Sequence, residues 1–183
     1  MFVTLQTKEI NHFNKNHDRL WDFVKKDYPC AVVRDSAYMN WKYVDQPGQV
    51  FTKIEILKEE KIVAVAILTV REPGPHTPYK YRRAYIVDIL APLSNQPLFL
   101  NVIDTVKKEA AKLEADSLIF EVINNDIENA LKQYGFIKRD HTRYFLIHPE
   151  GIKDDVKNAL LSPEKWVITK GDSDIDRPEG GVK

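Results

Sequence analysis

A change of period along the chain constrains the fold more than any other feature. Residues 49–57 carry Val50, Phe51, Ile54 and Ile56 among polar neighbours, the alternation of a half-exposed strand. The charged turn Lys58-Glu59-Glu60-Lys61 leads into residues 62–70, a nearly continuous apolar run suited to a strand buried on both faces. Two such runs joined by a short polar turn predict an antiparallel hairpin. Residues 72–80 (EPGPHTPYK) hold three prolines and predict an irregular excursion, after which 82–90 (RRAYIVDIL) read as a third strand. The period then becomes helical. Phe99, Val102, Ile103, Val106, Ala110 and Leu113 fall on one stripe, with Lys107, Lys108 and Glu109 facing water. Residues 117–123 (SLIFEVI) return to a strand. Strand, long helix and strand imply a right-handed crossover and a parallel pair at the centre of the sheet. A meander that turns into β-α-β-α predicts a mixed α/β sheet.

The flanks add helices. Leu20, Trp21 and Val24 have helical spacing, which Tyr28-Pro29 should stop. Asp35 or Ser36 is placed to cap a second helix carrying Tyr38, Met39, Trp41 and Tyr43, closed by Gln46-Pro47-Gly48. Asn124-Asn125-Asp126 offers caps for a helix over 127–134 that Gly135 ends. A late strand over 142–147, a surface helix over 152–161 and a last strand over 164–169 complete the reading. The expectation is one domain over residues 1–170 and a disordered tail over 171–183 (GDSDIDRPEGGVK).

Composition excludes more than it assigns. With 27 basic and 27 acidic residues in 183, the chain lacks the net positive charge on which non-specific nucleic-acid binding relies. No apolar run reaches the roughly 20 residues of a membrane span, and no export signal follows Met1, so a cytoplasmic protein is expected. Cys30 stands alone, which excludes an internal disulfide and a thiolate-rich zinc site. His12, His17 and His76 form no recognisable metal spacing, and Ser94 lacks the G-x-S-x-G context of a hydrolase nucleophile. No metal site is expected.

Residues 124–136 (NNDIENALKQYGF) resemble the end of the GNAT acyltransferase domain, where an Asn precedes a helix that finishes in Gly-Phe. With the preceding strands and crossover helix, the match in element order covers most of residues 50–147. The opening Arg34-Asp35-Ser36-Ala37-Tyr38-Met39-Asn40-Trp41-Lys42-Tyr43 and the closing 166–174 (WVITKGDSD) are similar to the flanks of a bacterial GNAT-like subgroup. The resemblance implies a mostly antiparallel sheet whose central parallel strands splay apart. It implies acetyl-CoA or another acyl-CoA as co-substrate, and a small-molecule amine or sugar as acceptor. The alternative is a module that keeps the fold without the reaction, as one half of a homodimer or tandem assembly.

The same resemblance assigns roles. The pantetheine arm would lie along the third strand, with backbone N–H groups near Ile89 and Leu90 polarising the acyl carbonyl. The pyrophosphate would sit on Ser94, Asn95, Gln96 and Leu98, where the crossover helix begins with unpaired donors. Asn124 would contact CoA or cap its helix. This loop departs from the family pattern, because no glycine occurs between Gly74 and Gly135 and Pro97 removes one donor. The tyrosine that often serves as acid in the family is replaced by Leu131. Asp88 and Glu121 are candidate bases, since a carboxylate between apolar strand neighbours is desolvated. Arg34, Trp41 and Tyr43 either line the acceptor pocket or form an apolar stripe.

Overall fold

The computed structural model describes residues 4–48, 50–139, 148 and 150–173. Five strands form the main sheet in the order β1 (Gln6–Ile10), β2 (Thr52–Lys58), β3 (Lys61–Arg71), β4 (Arg83–Leu90) and β5 (Ser117–Phe120). The first three pairings are antiparallel and β4–β5 is parallel, the result of the crossover through α3 (Gln96–Lys112). Before the hairpin come α1 (Lys15–Val24) and α2 (Ser36–Tyr43), and α4 (Asn125–Gln133) and α5 (Asp154–Leu160) follow the sheet.

Local chemistry sets these boundaries. Asp35 caps α2 by accepting the Tyr38 N–H, and Gly135, at φ +79°, takes the left-handed conformation just past α4. The β2–β3 turn puts Glu59 and Glu60 at φ +50° and +64°, two successive left-handed residues without a glycine. The pleat then decides which helix each side chain meets. On β1, Thr7 reaches Glu109 of α3 at 2.8 Å, whereas its neighbour Lys8 lies 3.8 Å from Glu55, which faces His17 of α1. The helices therefore cover opposite faces. Phe99, Val102, Ile103 and Val106 of α3 are buried in the common core.

Two expectations change, and one strand is new. Residues 117–123 are two strands, because the chain leaves β4 after Phe120. Its continuation β6 (Val122–Ile123) pairs instead with β7 (Ile168–Thr169). Gly171, Asp172 and Ser173 belong to the packed domain rather than a tail, since Lys170 and Gly171 are buried and the Asp172 side chain is 6% exposed. The edge strand β1 has no counterpart in the sequence reading. The strand expected over 142–147 and the rest of the expected tail lie outside the described residues.

Candidate functional site

The two central strands part company at a bulge. Opposite β3, Ile67 pairs with Asp88 and Leu68 with Ile86, which leaves Val87 as the extra residue. Opposite β5, the ladder runs only from Arg83–Ser117 to Ile86–Phe120. Beyond those pairs, β4 continues to Leu90 while β6 diverges. This parting is the place where the resemblance puts an extended acyl donor.

The chain itself bridges it. Residues 168–169 ladder with β6, and the Thr169 hydroxyl donates to Asp88 Oδ1 at 3.0 Å on β4. A Cβ added to Gly171 would stand 3.3 Å from the Val87 carbonyl oxygen and would overlap the Tyr43 hydroxyl. Only a glycine lets the backbone lie this close to the bulge.

Asp88 is the centre of a buried network. Its carboxylate accepts Arg34 Nε at 3.1 and 3.0 Å, the Tyr43 hydroxyl at 2.9 Å, the Thr169 hydroxyl and the Ile89 N–H at 2.9 Å. Arg34 also donates to Val32 O at 2.9 Å and to Asp172 Oδ2 at 2.7 Å. Arg34 is fully buried, and its two carboxylates outweigh the burial cost, holding the guanidinium above its ordinary range. Burial, reinforced by Asp88, pushes the Tyr43 phenol well up. Burial also raises Asp172 above the usual carboxylate range despite Arg34 beside it.

This geometry corrects several assignments. With residues 168–173 in place, Asp88 has a full set of donors and 1% exposure, the setting of an anchor rather than of an open base. Ile89 spends its N–H on Asp88, and the neighbouring Ala91 N–H goes to the Tyr28 hydroxyl at 3.0 Å, leaving neither for an acyl oxygen. Leu90 is buried in the core. Arg34 and Tyr43 are buried in the network and line no open pocket, while Trp41, 54% exposed, stacks against Tyr38 on the surface. Glu121 is half-buried at the break between β5 and β6, 3.5 Å from Lys170 Nζ.

The start of α3 is equally occupied. Ser94 gives both its N–H and its hydroxyl to Asp27 Oδ2, at 3.0 and 2.9 Å. Asn95 caps Leu98 N–H with its own side chain, Gln96 donates to Leu93 O, and Pro97 brings no donor to the first turn. A carboxylate thus stands beside the donors to which the resemblance assigns a pyrophosphate. Asn124 accepts the Ile127 N–H and donates to Trp166 O, so both ends of its amide are used. Leu131 is core.

Two crevices, of about 360 and 460 Å³, lie between α1 and α2 and between Cys30 and α5. Neither is lined by a residue of β4, β5 or β6. No metal-holding cluster and no helix long and apolar enough to cross a membrane occur among the described residues.

The sheet order, the parallel pair that parts at a bulge, and the crossover helix define the fold of the GNAT N-acetyltransferases, and this chain has that fold. An integron cassette protein from the mobile metagenome of V. cholerae superposes with a TM-score of 0.55 at 12% identity, over 87% of this chain and 99% of its own. An aminoglycoside acetyltransferase from an uncultured soil metagenomic sample, solved with sisomicin, gives 0.53 at 14% over 79% and 95%. An aminoglycoside N-acetyltransferase solved with CoA gives 0.52 at 10% over 79% and 95%. Neither a protein-family model nor a curated protein sequence matches this chain.

Proposed function

We propose that this chain is an acyl-CoA-dependent N-acyltransferase that takes acetyl-CoA or a longer acyl-CoA and acylates a small amine, amino sugars foremost. The observation that carries this reading is the parting of β4 and β5 beside the Val87 bulge, where the β4–β5 ladder stops at Ile86–Phe120 while β4 runs on to Leu90. The fold is shared with structures crystallised with CoA and with sisomicin.

In the reaction the neutral amine nitrogen attacks the thioester carbonyl, the C–S bond breaks, and the proton shed by that nitrogen leaves with the CoA thiolate as the thiol. The amine arrives as an ammonium ion and must first lose a proton. Asp88 is enclosed, so Glu121 takes that role in this reading. It stands where the strands separate, and its side chain is 30% exposed. Replacing a general base costs roughly 10²- to 10⁴-fold in rate. Glu121→Gln is therefore expected to lower kcat by at least about 10²-fold while the affinity for acetyl-CoA stays unchanged.

One observation favours a second reading, a GNAT-fold binding module without transfer. The Ser94, Asn95 and Leu98 donors at the start of α3 are engaged, and Asp27 holds the place of an anion. Thiol release from acetyl-CoA, measured against a panel of amino sugars and aliphatic diamines, separates the two. Amine-dependent release that Glu121→Gln abolishes supports the transferase. Absence of release together with millimolar CoA leaving the melting temperature unmoved selects the module.

A further inference from the structure

We infer that residues 168–173 are a strap seated in the parting between β4 and β6, and that an extended acyl donor enters only as this strap leaves. The inference rests on the transferase reading above and adds to it the element that controls access to the donor groove.

The strap engages the same features of the sheet that an extended ligand would use. It ladders with β6 through Ile168 and Thr169, it touches Asp88 through the Thr169 hydroxyl, and at Gly171 its backbone lies against the carbonyl of the bulge residue Val87. At Gly171 it is the strap's backbone that lies against β4, and backbone in a sheet gap is what an amide-bearing arm would replace.

Its hold is uneven. The ladder has only two residue pairs, too short to persist without side-chain support. That support comes from Asp172, whose Oδ2 accepts Arg34 Nη2 at 2.7 Å and the Thr169 N–H at 2.8 Å, and from Lys170, whose Nζ lies 3.5 Å from Glu121 and 4.8 Å from the Tyr85 ring. Asp172 Oδ1 is buried with no hydrogen-bond partner among the described residues, and burial raises the carboxyl above its usual range. An unsatisfied buried oxygen works against the seated state.

The site underneath does not depend on the strap. The Nε contacts of Arg34 to Asp88, its bond to Val32 O and the bond of Tyr43 to Asp88 involve no residue of 168–173. The strap's departure removes the Thr169 donor to Asp88 and the Asp172 carboxylate beside Arg34, and leaves the Arg34–Asp88–Tyr43 contacts, which involve no strap residue. A strap that exchanges with a ligand needs such a floor.

The glycine gives a shape-specific test. In Gly171→Ala the new methyl overlaps the Tyr43 hydroxyl, so the strap is expelled. Adding Tyr43→Phe removes that oxygen and leaves the nearest atoms at 3.3 Å, close enough that a few tenths of an ångström of movement reseats it. Amide hydrogen exchange over 168–173 and acetyl-CoA binding by calorimetry are measured on the full chain and both variants. The expected result is exchange at least about tenfold faster and acetyl-CoA affinity at least about tenfold higher in Gly171→Ala, with the double variant returning toward the parent. Faster exchange with affinity equal to the parent's overturns the strap and leaves the transferase reading intact. Unchanged exchange in Gly171→Ala overturns the packing argument. An open strap with no acetyl-CoA binding by any form overturns the transferase reading, and the coupling falls with it. Should the variants not fold, the parent chain alone decides, since acetyl-CoA must accelerate exchange over 168–173 and an unaltered profile in bound protein refutes the inference.

Discussion

On one face of the sheet, α3 brings Phe99, Val102, Ile103 and Val106 into an apolar core. On the other, Arg34 and Tyr43 meet Asp88, and His17 meets Glu55, all of them almost fully buried. The first face is held by area removed from water, which is divisible: a methylene lost costs a fraction of the whole. The second is held by buried polar and charged groups, each with specific hydrogen-bond or ion-pair partners. A group removed there strands another in a medium that cannot solvate it. The apolar face tolerates drift in sequence. The polar face is close to all-or-none, and it is the face on which β4 and β6 part.

The largest effect that tests this contrast is Asp88→Ala, which leaves Arg34 facing only Asp172 and Val32 O. A loss of roughly 3–5 kcal/mol in urea unfolding is expected, or no folding at all. Ile103→Val on the opposite face should cost about 0.5–1.5 kcal/mol. Equal losses at the two sites would erase the distinction.

A smaller effect comes from His17. Its Nδ1 accepts the Asn14 N–H and its Nε2 lies 3.2 Å from Glu55, yet burial outweighs that carboxylate and holds the imidazole below its usual range. The unfolded chain therefore binds the proton first, and stability falls as pH drops below about 6.5 toward the lowered folded value. The slope from this one group is at most about 1.4 kcal/mol per pH unit. Melting curves from pH 7.5 to 5 should show the fall, and His17→Gln should flatten it. An unchanged slope in that variant would assign the effect elsewhere.

The smallest effect lies away from both faces, in the β2–β3 turn. Glu60→Gly relieves a left-handed residue at φ +64° and should raise stability by about 0.5 kcal/mol, read from the urea midpoint. A decrease would show that the Glu60 side chain contributes more than its backbone costs.

How much of this was legible in the sequence follows from the same contrast. The hairpin, the α3 stripe, the Asp35 and Asn124 caps and the Gly135 stop are local patterns, and period and capping chemistry expose them. β1 reads Gln-Thr-Lys-Glu-Ile, an edge strand without apolar alternation, so periodicity has nothing to detect. The break at Glu121 was hidden because 117–123 look uniform. Beyond the break, the partners are Ile168 and Thr169, from far along the chain.

The site was legible in its residues and illegible in their roles. Arg34, Tyr43 and Asp88 stand out by type, yet the partners of Arg34 lie 54 and 138 residues away. No local spacing links them. One signal was present: an aspartate between Val87 and Ile89 in a buried strand needs a cation or several donors, and the arginine beside the aromatic helix was the nearest match. The segment Gly171-Asp172-Ser173 has the composition of a solvated tail, and only the contact with Val87 and Tyr43 shows why a glycine stands there.

The most direct measurement is a thermal-shift titration of the intact chain with acetyl-CoA. Specific occupation of the parting predicts a concentration-dependent rise that reaches about 2.7 kcal/mol of added stability at a hundredfold excess over Kd. A melting temperature that does not move at millimolar acetyl-CoA would contradict the claim that this fold retains a donor groove.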